Sequence, residues 1–252
     1  MSASDDEILA VLHRTKVAIL DALAAVEDWR PTTGAVTHIQ YAIDVAADGP
    51  AVEVLTGAGF GVLSEESGLH EGDRAVVVVM DPIDGSTNAS RGVPWFATSL
   101  CAVDAGGPRV ALVENLATGE RFEAVRGHGA RRNGAPIAVS GLTDISHALV
   151  CMCGIPIAHG PWRQGRVMGA AALDICSVAN GRFDGYLDNT PGIHGPWDYM
   201  AAALVVLEAG GAVADVEGRD LFVVDHKARR APIAAASSAL LDRIRAFRET
   251  GS

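Results

Sequence analysis

Valine fills four successive positions, 76–79, and Met80 then leads directly into Asp81-Pro82-Ile83-Asp84-Gly85. An unbroken run of this kind reads as a β-strand buried on both faces, which requires structure packed above and below it. Two carboxylates three residues apart are a costly way to end such a strand, because buried charge must be compensated. What compensates them is the central question that the sequence raises.

The flanking segments are consistent with layered α and β structure. Ser4-Asp5-Asp6-Glu7 has the form of a capping box, and an Ala- and Leu-rich helix is predicted from there to about Val26. A short helix is predicted over residues 50–58, then a strand over 60–67 that runs into Glu65-Glu66, then the valine strand. Between 97 and 140, apolar runs alternate with the turn signals DAGG, ATGE, RGHG and RRNG, a pattern that predicts an antiparallel meander. Helices are predicted over 167–181 and 198–211, each stopped by glycine, then a strand and turn over 211–220 and a C-terminal helix. Residues 1–252 are expected to form one domain, with halves of about 1–140 and 141–252.

Bulk properties exclude some functions. A formal charge of −11 argues against nucleic-acid or anionic-membrane binding, for which a basic patch is needed. The N-terminus lacks the basic start and apolar stretch of a signal peptide, and no apolar run approaches the ~20 residues that span a bilayer. Cys101, Cys151, Cys153 and Cys176 contain no Cys-x-x-Cys pair, so free thiols in a reducing cytoplasm are expected. Gly57-Ala58-Gly59-Phe60-Gly61 precedes a strand instead of opening a helix, so it reads as a turn and not a dinucleotide loop. The eight histidines form no His-x-x-x-His pair.

The acidic residues carry the chemistry. Taken singly, Asp198 could be a helix N-cap and Glu65-Glu66 a solvated loop. Taken together, Asp44, Glu65, Asp81, Asp84 and Asp198 supply hard oxygen donors from several strand and helix ends, which suits Mg²⁺ shared with a phosphate. Pro82 constrains the turn between the two aspartates, and the backbone N–H groups from Gly85 through Ser86 and Thr87 can meet a phosphate at the start of a helix.

These segments are similar to the inositol monophosphatase superfamily of Mg²⁺-dependent, lithium-sensitive phosphatases. DPIDGSTN (81–88) resembles its Asp-Pro-(Ile/Leu)-Asp-Gly-(Thr/Ser)-x-Asn signature, LSEES (63–67) its Gly-Glu-Glu segment, and WDYMAAALVVLEAGG (197–211) its second signature. The resemblance implies an α+β fold, the layered α/β/α/β/α sandwich of these sugar phosphatases. It also implies a phosphomonoesterase that uses two to three Mg²⁺ ions and directly attacking water, and a homodimer. By position, Glu65, Asp81 and the Ile83 carbonyl would hold one metal, and Asp81, Asp84 and Asp198 a second. Asp44 with Ser86 would orient or deprotonate water, and Glu66 and His194 would support the ligands. Asp84, Gly85, Ser86, Thr87, Gly169, Ala170, Asp188 and Asp198 would line the substrate side. Ala170 stands where relatives carry a hydroxyl, which leaves inositol phosphate, histidinol phosphate, fructose 1,6-bisphosphate and adenosine 3′,5′-bisphosphate all open as substrates. A non-catalytic paralogue that binds metal or a phosphorylated ligand is the competing class.

Overall fold

The computed structural model describes residues 3–29, 41–154, 158–190 and 192–250. Helix α1 (Asp5–Ala24) starts at the expected capping box: the Ser4 hydroxyl accepts the Glu7 N–H at 3.3 Å and the Glu7 carboxylate accepts the Ser4 N–H at 2.7 Å. Helix α2 (Ala42–Gly57) begins eight residues before the predicted start at Pro50 and carries that proline inside it. Ile43, Ala47, Ala51 and Leu55 lie four residues apart and are fully buried. Burial of this stripe overrides proline's preference for the first turn.

Strands β1 (Gly61–Ser64) and β2 (Gly68–His70) form a hairpin, and β3 (Val77–Asp84) returns parallel to β1, with Ser64 opposite Met80. All eight residues of β3 are buried, aspartates included. After the short helix α3 (Ser86–Ser90) come β4 (Ala97–Asp104), β5 (Gly107–Asn115), β6 (Arg121–Val125), β7 (Ala130–Arg132) and β8 (Ala135–Pro136). This is the predicted meander, antiparallel throughout, and it completes a sheet of order β2-β1-β3-β4-β5-β6-β7-β8. A second sheet, of order β10-β9-β11-β13-β12, is built from β9 (Leu149–Cys153), β10 (Gln164–Arg166), β11 (Gly185–Asp188), β12 (Ala212–Asp215) and β13 (Pro232–Ala235).

Helices α4 (Ala171–Ala179) and α5 (Pro196–Glu208) lie between the two sheets. Helices α1 and α2 cover the outer face of the first sheet, and α6 (Ser238–Thr250) covers the outer face of the second. The result is the expected α/β/α/β/α sandwich. Helix α4 starts four residues later than predicted because Gly169 is left-handed (φ +89°) and Ala170 is extended, so no helix can run through them. Helix α5 starts at Pro196, where the missing N–H costs nothing. Among the described residues no helix is long and apolar enough to cross a membrane.

Candidate active site

Strand register explains how Glu65 and Asp81 meet. β1 and β3 are parallel, and the Glu65 N–H donates to the Met80 carbonyl at 3.1 Å, so Glu65 and Asp81 emerge side by side. Leu63, Val77 and Val79 pack into the core between the sheets. The side-chain period of two sends Glu65 and Asp81 to that same face, toward α5. Asp198 arrives from the first turn of α5, where its carboxylate accepts the Gly195 N–H at 2.7 Å. It therefore sits at the third helical position, not at the N-cap. One oxygen from each of Glu65, Asp81 and Asp198 lies within 4.8 Å of the others.

The DPID turn is fixed from inside. The Ile83 N–H donates to Asp81 Oδ1 at 2.9 Å, and the ladder with β4 shifts register between Asp81 and Asp84, where Pro82 has no N–H to offer. Asp84 is held against the start of α4: its carboxylate accepts the Ala171 and Ala172 N–H groups at 3.2 and 2.7 Å. Gly85 is left-handed (φ +88°), and a Cβ there would stand 3.0 Å from the Ala170 Cβ and 3.2 Å from the Gly169 carbonyl. The motif's glycine is thus demanded by both conformation and packing. Ser86 donates from Oγ toward Asp44 Oδ1 at 2.8 Å and the Ile83 carbonyl at 2.9 Å.

These carboxyls share one electrostatic problem. Burial, with the Glu66 charge adding to it against the Ser86 hydrogen bond, raises Asp44 to about 7. Burial and the Asp198 charge raise Glu65 to about 9. Burial, then Glu65 and Asp84, push Asp81 well above the usual carboxylate range, and burial with Asp198 does the same to Asp84. Asp198 is raised by burial and partly relieved by His194 and Arg229. A group of buried and half-buried acids whose charge is answered by basic side chains only in part fits a cation, and an all-oxygen donor set suits a hard one.

Several supporting residues had no clear signal in the sequence. Asn88 closes the signature by donating from Nδ2 to the Trp95 and Met168 carbonyls at 2.8 and 2.9 Å, which ties α3 to the segment before α4. Tyr41 meets Thr87 through their hydroxyls at 2.9 Å. His226 contacts the Glu65 carbonyl through Nε2 at 3.0 Å and lies 4.9 Å from the Trp197 ring, over which Arg229 also sits. Asp174 is buried, accepts the Trp95 Nε1–H at 2.8 Å, and is raised to about 7, chiefly by burial. Of the predicted substrate-side residues, Gly169 and Ala170 flank Gly85. Asp188 is fully buried, 2.7 Å from His194 Nδ1.

Residues 43–251 match the model of the inositol monophosphatase family. The chain belongs to that family. A fructose-1,6-bisphosphatase/inositol-1-monophosphatase from Archaeoglobus fulgidus is 37% identical over 186 residues, 71% of each chain. A Nus factor SuhB from Pasteurella multocida is 34% identical over 215 residues, 75% of this chain and 77% of its own. Among solved structures, the inositol monophosphatase from Anabaena superposes with a TM-score of 0.78 at 25% identity, covering 96% of this chain and 95% of its own. Both the fold and a phosphatase of this family follow from these matches.

Proposed function

We propose that the chain is a Mg²⁺-dependent phosphomonoesterase that hydrolyses a small alcohol or sugar phosphate. The observation that carries this reading is the meeting of Glu65, Asp81 and Asp198 within 4.8 Å, beside a buried Asp44 hydrogen-bonded to Ser86. Two to three ions would be held by Glu65, Asp81, the Ile83 carbonyl, Asp84 and Asp198. When bound, they would lower the pKa of a water molecule and offset charge on the phosphoryl group and the leaving oxygen.

The chain's own groups do the rest. Asp44, near neutral pKa, is suited to take the water's proton, directly or through the Ser86 hydroxyl it already accepts. The backbone N–H groups of Gly85, Ser86 and Thr87 face the phosphate, and Asp84, anchored on α4, fixes the turn that presents them. Gly169, Ala170, Asp188 and Asp198 form the substrate side, and Glu66 and His194 support the ligands. Water attacks phosphorus directly, so no phosphoenzyme forms. A homodimer completes the proposal.

The name of the Archaeoglobus relative puts fructose 1,6-bisphosphate and inositol 1-phosphate first among substrates. The name Nus factor, carried by other relatives, supports a second reading in which the chain also acts through a macromolecular partner. Against a nucleic-acid partner stands only the net charge of −11.

The test is phosphate release from inositol 1-phosphate, histidinol phosphate, fructose 1,6-bisphosphate and adenosine 3′,5′-bisphosphate, with Mg²⁺ or with chelator. One substrate well ahead in kcat/KM, with turnover lost on chelation, is the expected result. Asp84→Asn is expected to lower kcat more than about 100-fold, ~2.7 kcal/mol. Turnover that survives chelation would refute the metal assignment, and Asp84→Asn turnover within about tenfold of wild type would remove Asp84 from it.

A further inference from the structure

The second sheet ends in a cluster of different chemistry. β9 and β11 are parallel, and their last residues, Cys153 and Asp188, are register partners. Two residues earlier on each strand, Cys151 and Tyr186 are buried in the core between the sheets, so Cys153 and Asp188 project into that same layer. His194 enters just before α5, fixed by the Arg230 N–H, which donates to its carbonyl at 2.9 Å. One donor atom from each of Cys153, Asp188 and His194 lies within 4.8 Å of the other two.

The set is pre-arranged. Asp188 Oδ1 accepts the Thr190 N–H at 2.7 Å and its Oδ2 meets His194 Nδ1 at 2.7 Å, which fixes the ring. The Cys153 carbonyl accepts the Asn189 N–H at 2.9 Å. Asp188 is fully buried and His194 nearly so, whereas Cys153 is partly open to solvent. The other three cysteines are buried. Beside the cluster, the fully buried Tyr186 hydroxyl has no hydrogen-bond partner among the described residues.

We infer that Cys153, His194 and Asp188 form a binding site for a thiophilic divalent cation of the Zn²⁺ class, distinct from the all-carboxylate site. Sulfur, imidazole nitrogen and carboxylate oxygen are the donors that Zn²⁺ and Co²⁺ accept tetrahedrally, and Mg²⁺ discriminates against the first two. Zn–S and Zn–N lengths of about 2.3 and 2.0 Å place tetrahedral donors roughly 3.5 Å apart, inside the observed limit. Three protein donors leave a fourth position, and the exposed side of Cys153 opens it to water. Strand ends and a bridged residue supply all three donors, and an entering cation would replace the proton held between His194 Nδ1 and Asp188 Oδ2. The inference does not depend on the reaction proposed above, but it takes Asp188 and His194 as ligands in place of the substrate-side and supporting roles given them there.

The test is a Co²⁺ titration of the reduced full chain with Mg²⁺ in excess, followed by near-ultraviolet absorption. A thiolate-to-cobalt charge-transfer band that saturates near one Co²⁺ per chain, is displaced by Zn²⁺ and is absent in Cys153→Ser is expected. No band, or a band retained in Cys153→Ser, would overturn the site. A second measurement needs no variant: Zn²⁺ should slow iodoacetamide alkylation of Cys153, mapped by mass spectrometry, at least about tenfold. An unchanged alkylation rate counts equally against it. His194→Ala should weaken Co²⁺ binding by about 10- to 100-fold, as loss of a metal-supporting group does; undiminished affinity would remove the imidazole from the site.

Discussion

At the ends of β1 and β3, and again at the ends of β9 and β11, two parallel strands deliver side chains at matching register, and the start of α5 supplies a third. In the first cluster all three are carboxylates, Glu65, Asp81 and Asp198; the Asp198 charge makes Glu65 harder to ionise, and Glu65 and Asp198 do the same to Asp81. In the second, Asp188 has an answering charge: burial works against the His194 imidazolium, but the hydrogen bonds to Asp188 and Cys153 and the charges of Asp198 and Asp188 together outweigh it, and His194 titrates well above its ordinary value. One architectural device therefore produces a site that repels itself and a site that satisfies itself. A self-repelling site is kept in a fold only if something outside the chain compensates it, whereas a self-satisfied pair contributes to folding with nothing bound.

The sharpest way to break this contrast is Asp81→Asn. It should lower kcat about 1,000-fold or more, ~4 kcal/mol, and at the same time raise the melting temperature of chelator-treated protein, because it removes a buried carboxyl that, with no cation bound, must either carry its charge unanswered or take up a proton to fold. A lower melting temperature in chelator would show that the cluster is not under repulsion. The same cause sets a pH dependence. Asp44 and Glu65 titrate at about 7 and about 9, above their ordinary values, so the folded chain binds more protons than the unfolded one. Metal-free stability should fall as pH rises from about 5 through 9, and Mg²⁺, binding the folded state, should flatten that fall. A metal-free melting temperature that climbs over this range would contradict the electrostatic picture.

Asp188→Asn tests the other side. It leaves the His194 charge buried without its counter-ion and should cost stability, about 3 kcal/mol, read as a lower midpoint in urea with or without Mg²⁺. If it stabilises the metal-free chain as Asp81→Asn does, the two clusters do not differ in kind.

The two clusters also differed in how legible they were. Glu65, Asp81 and Asp84 stand beside apolar runs that mark strands, and a charge at the end of a buried strand is visible in one dimension. Asp198 was legible only in company: alone it is equally a helix-capping residue, and it joins the others as one more oxygen donor at an element's end. The Cys153–Asp188–His194 set was not visible, because its members lie on separate elements and the register of β9 against β11 is what joins them. The early start of α2 was hidden by Pro50, whose local preference loses to a buried stripe it does not interrupt. The late start of α4 was written in Gly169, but nothing local distinguishes a helix-starting glycine from one tolerated inside a helix.

The smallest predicted effect lies at Ala170, beside the Asp81–Gly85 turn. Ala170 is the N-cap of α4, almost fully buried against Gly85, and makes no side-chain cap hydrogen bond. In its place Asp84 accepts the first two N–H groups of that helix. In Ala170→Ser the hydroxyl has two competing uses. It can cap α4, adding about 0.5–1 kcal/mol of stability and relaxing Asp84, or it can turn toward the substrate side and change which phosphate ester is preferred. The first outcome raises the melting temperature and shifts the Mg²⁺ concentration needed for half-maximal turnover. The second shifts KM ratios across the ester panel with the Mg²⁺ requirement unchanged, and it is the outcome expected here, because Asp84 already accepts the Ala171 and Ala172 N–H groups and leaves a new cap only the Leu173 N–H. A shifted Mg²⁺ requirement with constant KM ratios would place residue 170 with the carboxylate cluster instead.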